Sequence, residues 1–146
     1  MNAPFDVKQL WNLPDHEFLS WAKALCIFQA NNNPVYKQWI TLSNQSIESI
    51  DTTNAIPFLP ISFFKNQDVY VGEKPRTLFE SSGTTQDVVS KHWVADTALY
   101  EASFMHCFEL FYGKPSDFCI IGLLPSYLER QHSSLVYICL LYTSDA

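Results

Sequence analysis

The stretch Leu78-Phe79-Glu80-Ser81-Ser82-Gly83-Thr84-Thr85-Gln86 constrains this chain more than any other. Its short apolar run can only be a strand. The run opens into four hydroxyl-bearing residues and one glycine, Ser81 to Thr85. Such residues compete with the backbone for hydrogen bonds, so they suit neither a helix interior nor a packed strand. They suit a tight loop whose backbone N–H groups turn toward one point, where a phosphate oxygen could sit, or else an ordinary polar surface turn. Pro75 gives the loop a rigid entry, and Lys91-His92 give it a cationic exit. A G-x-x-x-x-G-K-[ST] phosphate loop is disfavoured, because no lysine directly follows the glycine here.

The flanking chain reads as follows. Residues 5–13 form a short amphipathic approach, and Pro14-Asp15 mark a helix start. Phe18, Leu19, Ala22, Leu25, Cys26, Phe28 and Ala30 follow a helical period. Asn31-Asn32-Asn33-Pro34 stop that helix and cap a second one, Pro34–Leu42, with Val35, Trp39 and Leu42 on one side. The polar segment from Ser43 to Ala55 is a loop or short helical turn anchored by Ile47 and Ile50. Pro57 and Pro60 keep Ile56–Ile61 out of a central strand. Phe63-Phe64 then pack inward, Val69–Val71 reads as a brief strand, and Thr77–Glu80 as another.

After the hydroxyl loop, His92–Phe111 carries the best helical pattern, closed by Tyr112-Gly113-Lys114-Pro115. Phe118–Leu124 is nearly unbroken apolar, as an interior strand of a parallel sheet would be. A strand, a loop, a helix and a second buried strand make a βαβ unit, so the expected fold class is α/β: a helical amino terminus followed by βαβ. Pro125–Gln131 is then a loop at the carboxyl end of that strand, and Ser133–Tyr142 a helix with serine at its cap. No linker divides the chain. The opening of this last helix finds no sheet neighbours, and Ile138–Ala146 carries little pattern. The chain is therefore expected to be truncated, with 138–146 read as an artefactual tail.

Composition narrows the function. The 146 residues suffice for one domain, yet 47% are hydrophobic and only 16% charged, with 11 Phe, 7 Tyr and 4 Trp. Either the core is unusually aromatic, or the chain is a portion of something larger. The net charge of -6 and the scattered cations argue against nucleic acid or anionic membrane as partner. The cysteines at 26, 107, 119 and 139 lack metal-ligand spacing, so no metal site is assigned to them. They read as core thiols in a reducing compartment, most simply the cytoplasm. The amino terminus lacks the pattern of a cleaved leader, and no apolar run approaches the roughly 20 residues of a membrane span.

Several motifs together resemble one family. Phe79–Thr85, Ser90-Lys91-His92, Leu123–Arg130 and Ser133–Tyr137 resemble the acyl-protein synthetase family, the LuxE-type branch of the adenylate-forming enzymes that include acyl-CoA ligases. Ile56–Lys65 and Phe28–Tyr36 fit the same family, and the resemblance spans residues 5–137. It implies the amino-terminal part of an adenylate-forming large domain. It also implies ATP-dependent activation of a carboxylic or fatty acid as an acyl-adenylate, followed by acyl transfer to a thiol, on a cysteine or a carrier. ATP and Mg²⁺ are the implied cofactors, with the adenine and magnesium motifs elsewhere in a longer, two-part enzyme.

Carried over by residue, the resemblance puts Ser81, Ser82, Gly83, Thr84 and Thr85 on the ATP phosphates. The common motif continues with a second glycine where this chain has Gln86, which removes easy access to positive φ. Lys91 is the candidate for neutralising phosphate charge, although it lies two residues later than the lysine of the wider superfamily; the plain alternative is a solvated lysine at a helix start. His92 could hydrogen-bond the acyl carboxylate or cap the helix. Ser126 and Tyr127, leaving the carboxyl end of a strand, are candidate walls of the substrate pocket. Phe104, Phe108 and Phe111 read as core rather than as an acyl channel. The rival function is a non-catalytic module that has kept the scaffold and lost its grip on nucleotide.

Overall fold

The structure, a computed structural model, describes residues 7–81, 88–122 and 132–144. Among them stand five α-helices and a two-stranded antiparallel sheet. The chain divides into two compact units, Met1–Lys74 and Pro75–Ala146.

In the first unit a 3-10 turn over Val7–Asn12 precedes α1, Asp15–Asn32, which starts directly after Pro14 with Asp15 and Glu17 in its first turn. Carboxylates there oppose the positive end of the helix dipole. The next helix, α2, is Pro34–Leu42. Asn33, 5% exposed, belongs to both ends. Its own N–H donates to the Gln29 carbonyl at 2.8 Å. Its Oδ1 accepts from the amides of Val35 and Tyr36 at 3.1 and 3.2 Å, and its carbonyl accepts from Lys37 at 2.9 Å. Pro34 has no N–H to satisfy, so every orphan donor at the start of α2 is accounted for.

Leu19, Ala22, Cys26 and Ala30 stack along one face of α1 and meet Ile40 of α2 and Ile47, Ile50 and Ile56 of the irregular segment. The expected anchors Ile47 and Ile50 are buried as predicted. Lys23 fastens the same segment, donating from Nζ to the carbonyls of Glu48 and Ile50 at 2.9 and 3.2 Å. Three details depart from the sequence reading. Phe18 and Leu25 lie on the exposed side of α1, and Tyr36 rather than Leu42 turns into the core of α2. Val69–Val71 is irregular instead of a strand, with no ladder partner among the described residues. The final helix of the unit, α3, is the single turn Phe63–Asn66, with Phe63 edge-on to Trp39 at 5.6 Å.

The second unit begins with β1, Thr77–Glu80, followed by β2, Lys91–Val94. They are antiparallel, with Thr77 opposite Val94, Leu78 opposite Trp93, Phe79 opposite His92 and Glu80 opposite Lys91. The helix expected from His92 therefore starts later, as α4, Thr97–Tyr112. Asp96 caps it, its Oδ1 accepting from Ala98 and Leu99 at 2.9 and 3.3 Å. Gly113 ends it at φ 89°, a conformation that favours glycine. After a 3-10 turn at Pro115–Asp117, the residues from Phe118 to Gly122 are irregular, and Ile121 is 83% exposed. Leu123 and Leu124 lie outside the described residues. The expected βαβ crossover is thus corrected: β1 and β2 pair antiparallel, and among the described residues Phe118–Gly122 is irregular and joins no parallel ladder.

The last helix, α5, is Ser134–Ser144, with the Ser133 Oγ accepting from the Val136 amide at 3.3 Å, as the cap reading predicts. Phe79, Val94 and Val136 are buried here. Phe79 sits against Tyr100 of α4 and Tyr137 of α5 at ring separations of 5.0 and 5.3 Å. Phe104 and Phe108 continue the aromatic layer onto Tyr142 at 5.7 and 5.4 Å. Phe111, expected in the core, is exposed, and so are Cys107 and Cys119. Of the four thiols only Cys26 is buried. No helix among the described residues is long and apolar enough to cross a membrane.

Candidate functional site

The place to look for chemistry is the carboxyl end of β1, where the hydroxyl-rich segment leaves. Phe79 fixes the strand from below, because its ring is held between Tyr100 and Tyr137. Those two helical tyrosines are 6.2 Å apart and close a three-ring cluster. The Tyr137 hydroxyl also donates a hydrogen bond to the Glu101 carboxylate, tying α5 to α4. That bond, then burial, then the nearby negative charge hold the phenol above its ordinary range, since ionising it would break the bond and place two anions together.

One residue past β1 the hairpin is clamped. The Ser81 N–H donates to the Ser90 carbonyl at 3.0 Å, and the Ser90 N–H donates to the Ser81 Oγ at 2.9 Å. A side-chain oxygen thus takes the place of a backbone carbonyl in the last rung. The clamp brings both ends of the 82–89 excursion together. It also commits the Ser81 amide, leaving the Ser81 hydroxyl hydrogen as that residue's remaining donor. Ser82, Gly83, Thr84 and Thr85, expected to touch phosphate, lie outside the described residues, as does Gln86.

Lys91 stands directly opposite Glu80 at the base of this clamp. His92 is one residue on, and successive strand side chains point to opposite faces of a sheet. The pleat therefore parts two residues that a helix start would have kept near each other. Lys91 is half-buried and His92 exposed. Neither caps a helix; the cap is Asp96.

The residue that follows the second candidate loop, His132, is bonded to the same strand end. The Glu80 N–H, which points away from β2, donates to the His132 carbonyl at 2.8 Å. Ser126 and Tyr127, and the rest of Pro125–Gln131, lie outside the described residues. Sequence reasoning missed the roles of Ser90, Glu80 and His132. A serine opposite a serine across a hairpin is a findable signal once β2 is recognised. Nothing local to His132 announces a bond to a residue 52 positions earlier.

Among the described residues no three His, Cys, Asp or Glu side chains gather as a metal-holding group. The described groups at this strand end that carry a free donor or a positive charge are the Ser81 hydroxyl and Lys91. Comparison of the chain with protein-family models, curated proteins and solved structures found no match.

Proposed function

We propose that this chain carries the phosphate-binding part of an ATP-dependent carboxylate-activating enzyme of the acyl-protein synthetase type. In that reaction a carboxylate oxygen attacks the α-phosphorus of ATP, the bond to pyrophosphate breaks, and an acyl-adenylate forms. A thiol sulfur then takes the acyl carbon, releasing AMP and a proton. Both reactants of the first step are anionic, so the site must supply donors and cations around the phosphoryl oxygens. Mg²⁺ would share that role by neutralising phosphate charge, held by motifs beyond those recognised here.

The observation that carries this reading is convergence at the end of β1. Ser81 and Ser90, which flank the hydroxyl segment, are bonded to each other there, and His132, which follows the loop containing Ser126 and Tyr127, is bonded there to Glu80. The described residues that flank these two segments thus meet at Glu80 and Ser81. Lys91 supplies a cation beside them.

The test is calorimetry of the protein with ATP and Mg²⁺, then acid-dependent exchange of labelled pyrophosphate into ATP with short, aromatic and long-chain acids. Gly83→Val should lower ATP affinity at least about tenfold, as loss of one or two charge-assisted hydrogen bonds does. No heat of binding sinks the phosphate site. Binding without exchange for any acid favours the second reading, a non-catalytic module. That reading draws support from Gln86 in place of glycine and from the Ser81 amide being already committed to Ser90.

A further inference from the structure

We infer that the outer face of α4 pairs with a second copy of this chain, the two helices lying antiparallel. The helix is apolar nearly all round: its 16 residues include no lysine or arginine, and Glu101 and Glu109 are its only carboxylates. A helix of that kind is ordinarily covered on more than one side. Its inner face is accounted for, since Tyr100, Phe104 and Phe108 lie against Phe79, Tyr137 and Tyr142. Its outer face is Ala98, Ala102, Met105, Glu109 and Tyr112, all exposed. They recur at the three- and four-residue spacing that makes one stripe along a helix.

The stripe is graded in size, and the grading selects its occupant. Ala98 and Ala102 are small and stand toward the amino end, whereas the Tyr112 ring, 67% exposed, stands at the carboxyl end. Met105 lies midway between Ala98 and Tyr112. Laid antiparallel on its own copy, the helix sets Tyr112 over the partner's Ala98 at both ends, and Met105 beside the two-fold axis, where a flexible thioether fills the middle. A parallel pair would set tyrosine on tyrosine and leave a gap between alanines. The Tyr112 ring is already held against Phe108, centroids 5.1 Å apart, so docking has little side-chain freedom to remove. Glu109 falls toward the amino end of the facing helix, where the dipole favours negative charge, and Glu101 on the flank is engaged by the Tyr137 hydroxyl. A helix of 16 residues is about 24 Å long and roughly 10 Å across, so the pair buries about 500 Å² on each copy. A standard interface takes roughly 800 Å² per partner, so this one is weak and reversible, with a Kd of about 10–300 µM.

The experiment is sedimentation equilibrium of the full chain at about 10–500 µM, a range that brackets such a Kd. It compares wild type, Ala102→Glu, Ala98→Tyr, Tyr112→Ala and the double variant Ala98→Tyr with Tyr112→Ala. Leu42→Glu, at an exposed position in the first unit, is the control. All the positions changed are exposed, and an unchanged circular dichroism spectrum checks the fold. Wild type should fit a monomer–dimer equilibrium. Ala102→Glu should weaken it at least about tenfold, because it takes two unpaired carboxylates out of water. Ala98→Tyr, which crowds the partner's tyrosine, and Tyr112→Ala, which leaves a hole, should each weaken it about fivefold. The double variant reverses the grading and should pair within about twofold of wild type, as two coupled neighbours do. Leu42→Glu should match wild type. A monomer across the whole range, growth beyond the dimer, undiminished pairing by Ala102→Glu, equal weakening by Leu42→Glu, or a double variant weaker than either single change would overturn the inference.

Discussion

Replacing Asn33 with alanine removes three hydrogen bonds at once from the junction of α1 and α2. The Oδ1 atom satisfies the Val35 and Tyr36 amides, and Nδ2 donates to Gln29 Oε1 at 3.1 Å. Loss of an asparagine cap costs about 1 kcal/mol, up to about 2. The lost side-chain bond adds about 0.5–1 kcal/mol, and the Tyr36 amide, buried with its residue, cannot recover its partner from water. The total is about 2 kcal/mol. Asn33→Asp is the control. It keeps the acceptor and adds a negative charge at the start of α2, and the Gln29 amide can turn to donate, so its cost should stay below about 0.5 kcal/mol. Because the chain has two compact units, a single global midpoint is a poor probe. Amide hydrogen exchange of Tyr36 and Lys37 reads the junction itself. Asn33→Ala should lower their protection about thirtyfold, the equivalent of 2 kcal/mol at about 1.4 kcal/mol per decade, while Phe79 and Val94 amides keep theirs. Protection unchanged within about twofold, or equal losses in both variants, would refute the capping account.

Three further outcomes follow from the second unit. Phe79→Ala should destabilise that unit by about 3–4 kcal/mol, since it empties the space between Tyr100 and Tyr137; urea unfolding followed by exchange of the Val94 amide should show it. Tyr142→Phe should leave stability unchanged or raise it by up to about 1 kcal/mol, because the buried Tyr142 hydroxyl has no hydrogen-bond partner among the described residues while its ring contacts remain; a loss above about 1 kcal/mol would reveal a bond to that hydroxyl. Tyr137→Phe should flatten the alkaline limb of a stability–pH curve. The Tyr137 phenol is held above its ordinary value of 10.0 in the folded chain, so the fold retains a proton that the unfolded chain releases. Its contribution is complete below pH 10.0 and is lost as pH rises through the folded value. Burial raises Tyr36 and Tyr142 in the same direction, so their shares of the alkaline loss should persist in this variant.

Much of this fold is written in local chemistry. Asn33-Pro34 divides α1 from α2 because proline brings no N–H and asparagine supplies an acceptor, both properties of adjacent residues. Thr77–Glu80 reads as a strand and Ser133 as a cap for the same reason. What stayed hidden depends on distant partners. Lys91–Val94 continues a helical period on paper, yet pairing with Thr77–Glu80 makes it a strand, and the local clue was the Asp96-Thr97 cap signal just beyond. Phe118–Gly122 advertises its apolarity but not what would cover it, so a buried strand was expected where the chain is irregular and Ile121 exposed. The candidate site divides along the same line. Lys91 and Ser81 are visible as residue types, whereas the Ser81–Ser90 clamp and the bond from Glu80 to His132 belong to tertiary structure.

The proposed phosphate contact lies at the Ser81–Ser90 end of this hairpin. Nitrogen-15 NMR of the protein titrated with pyrophosphate reports that directly. Saturable shifts of the Ser81, Ser90 and Lys91 amides, with the Asn33 and Tyr36 amides still, are the predicted result. Shifts spread evenly over the exposed lysines, or none at Ser81, Ser90 and Lys91 up to millimolar pyrophosphate, would contradict it.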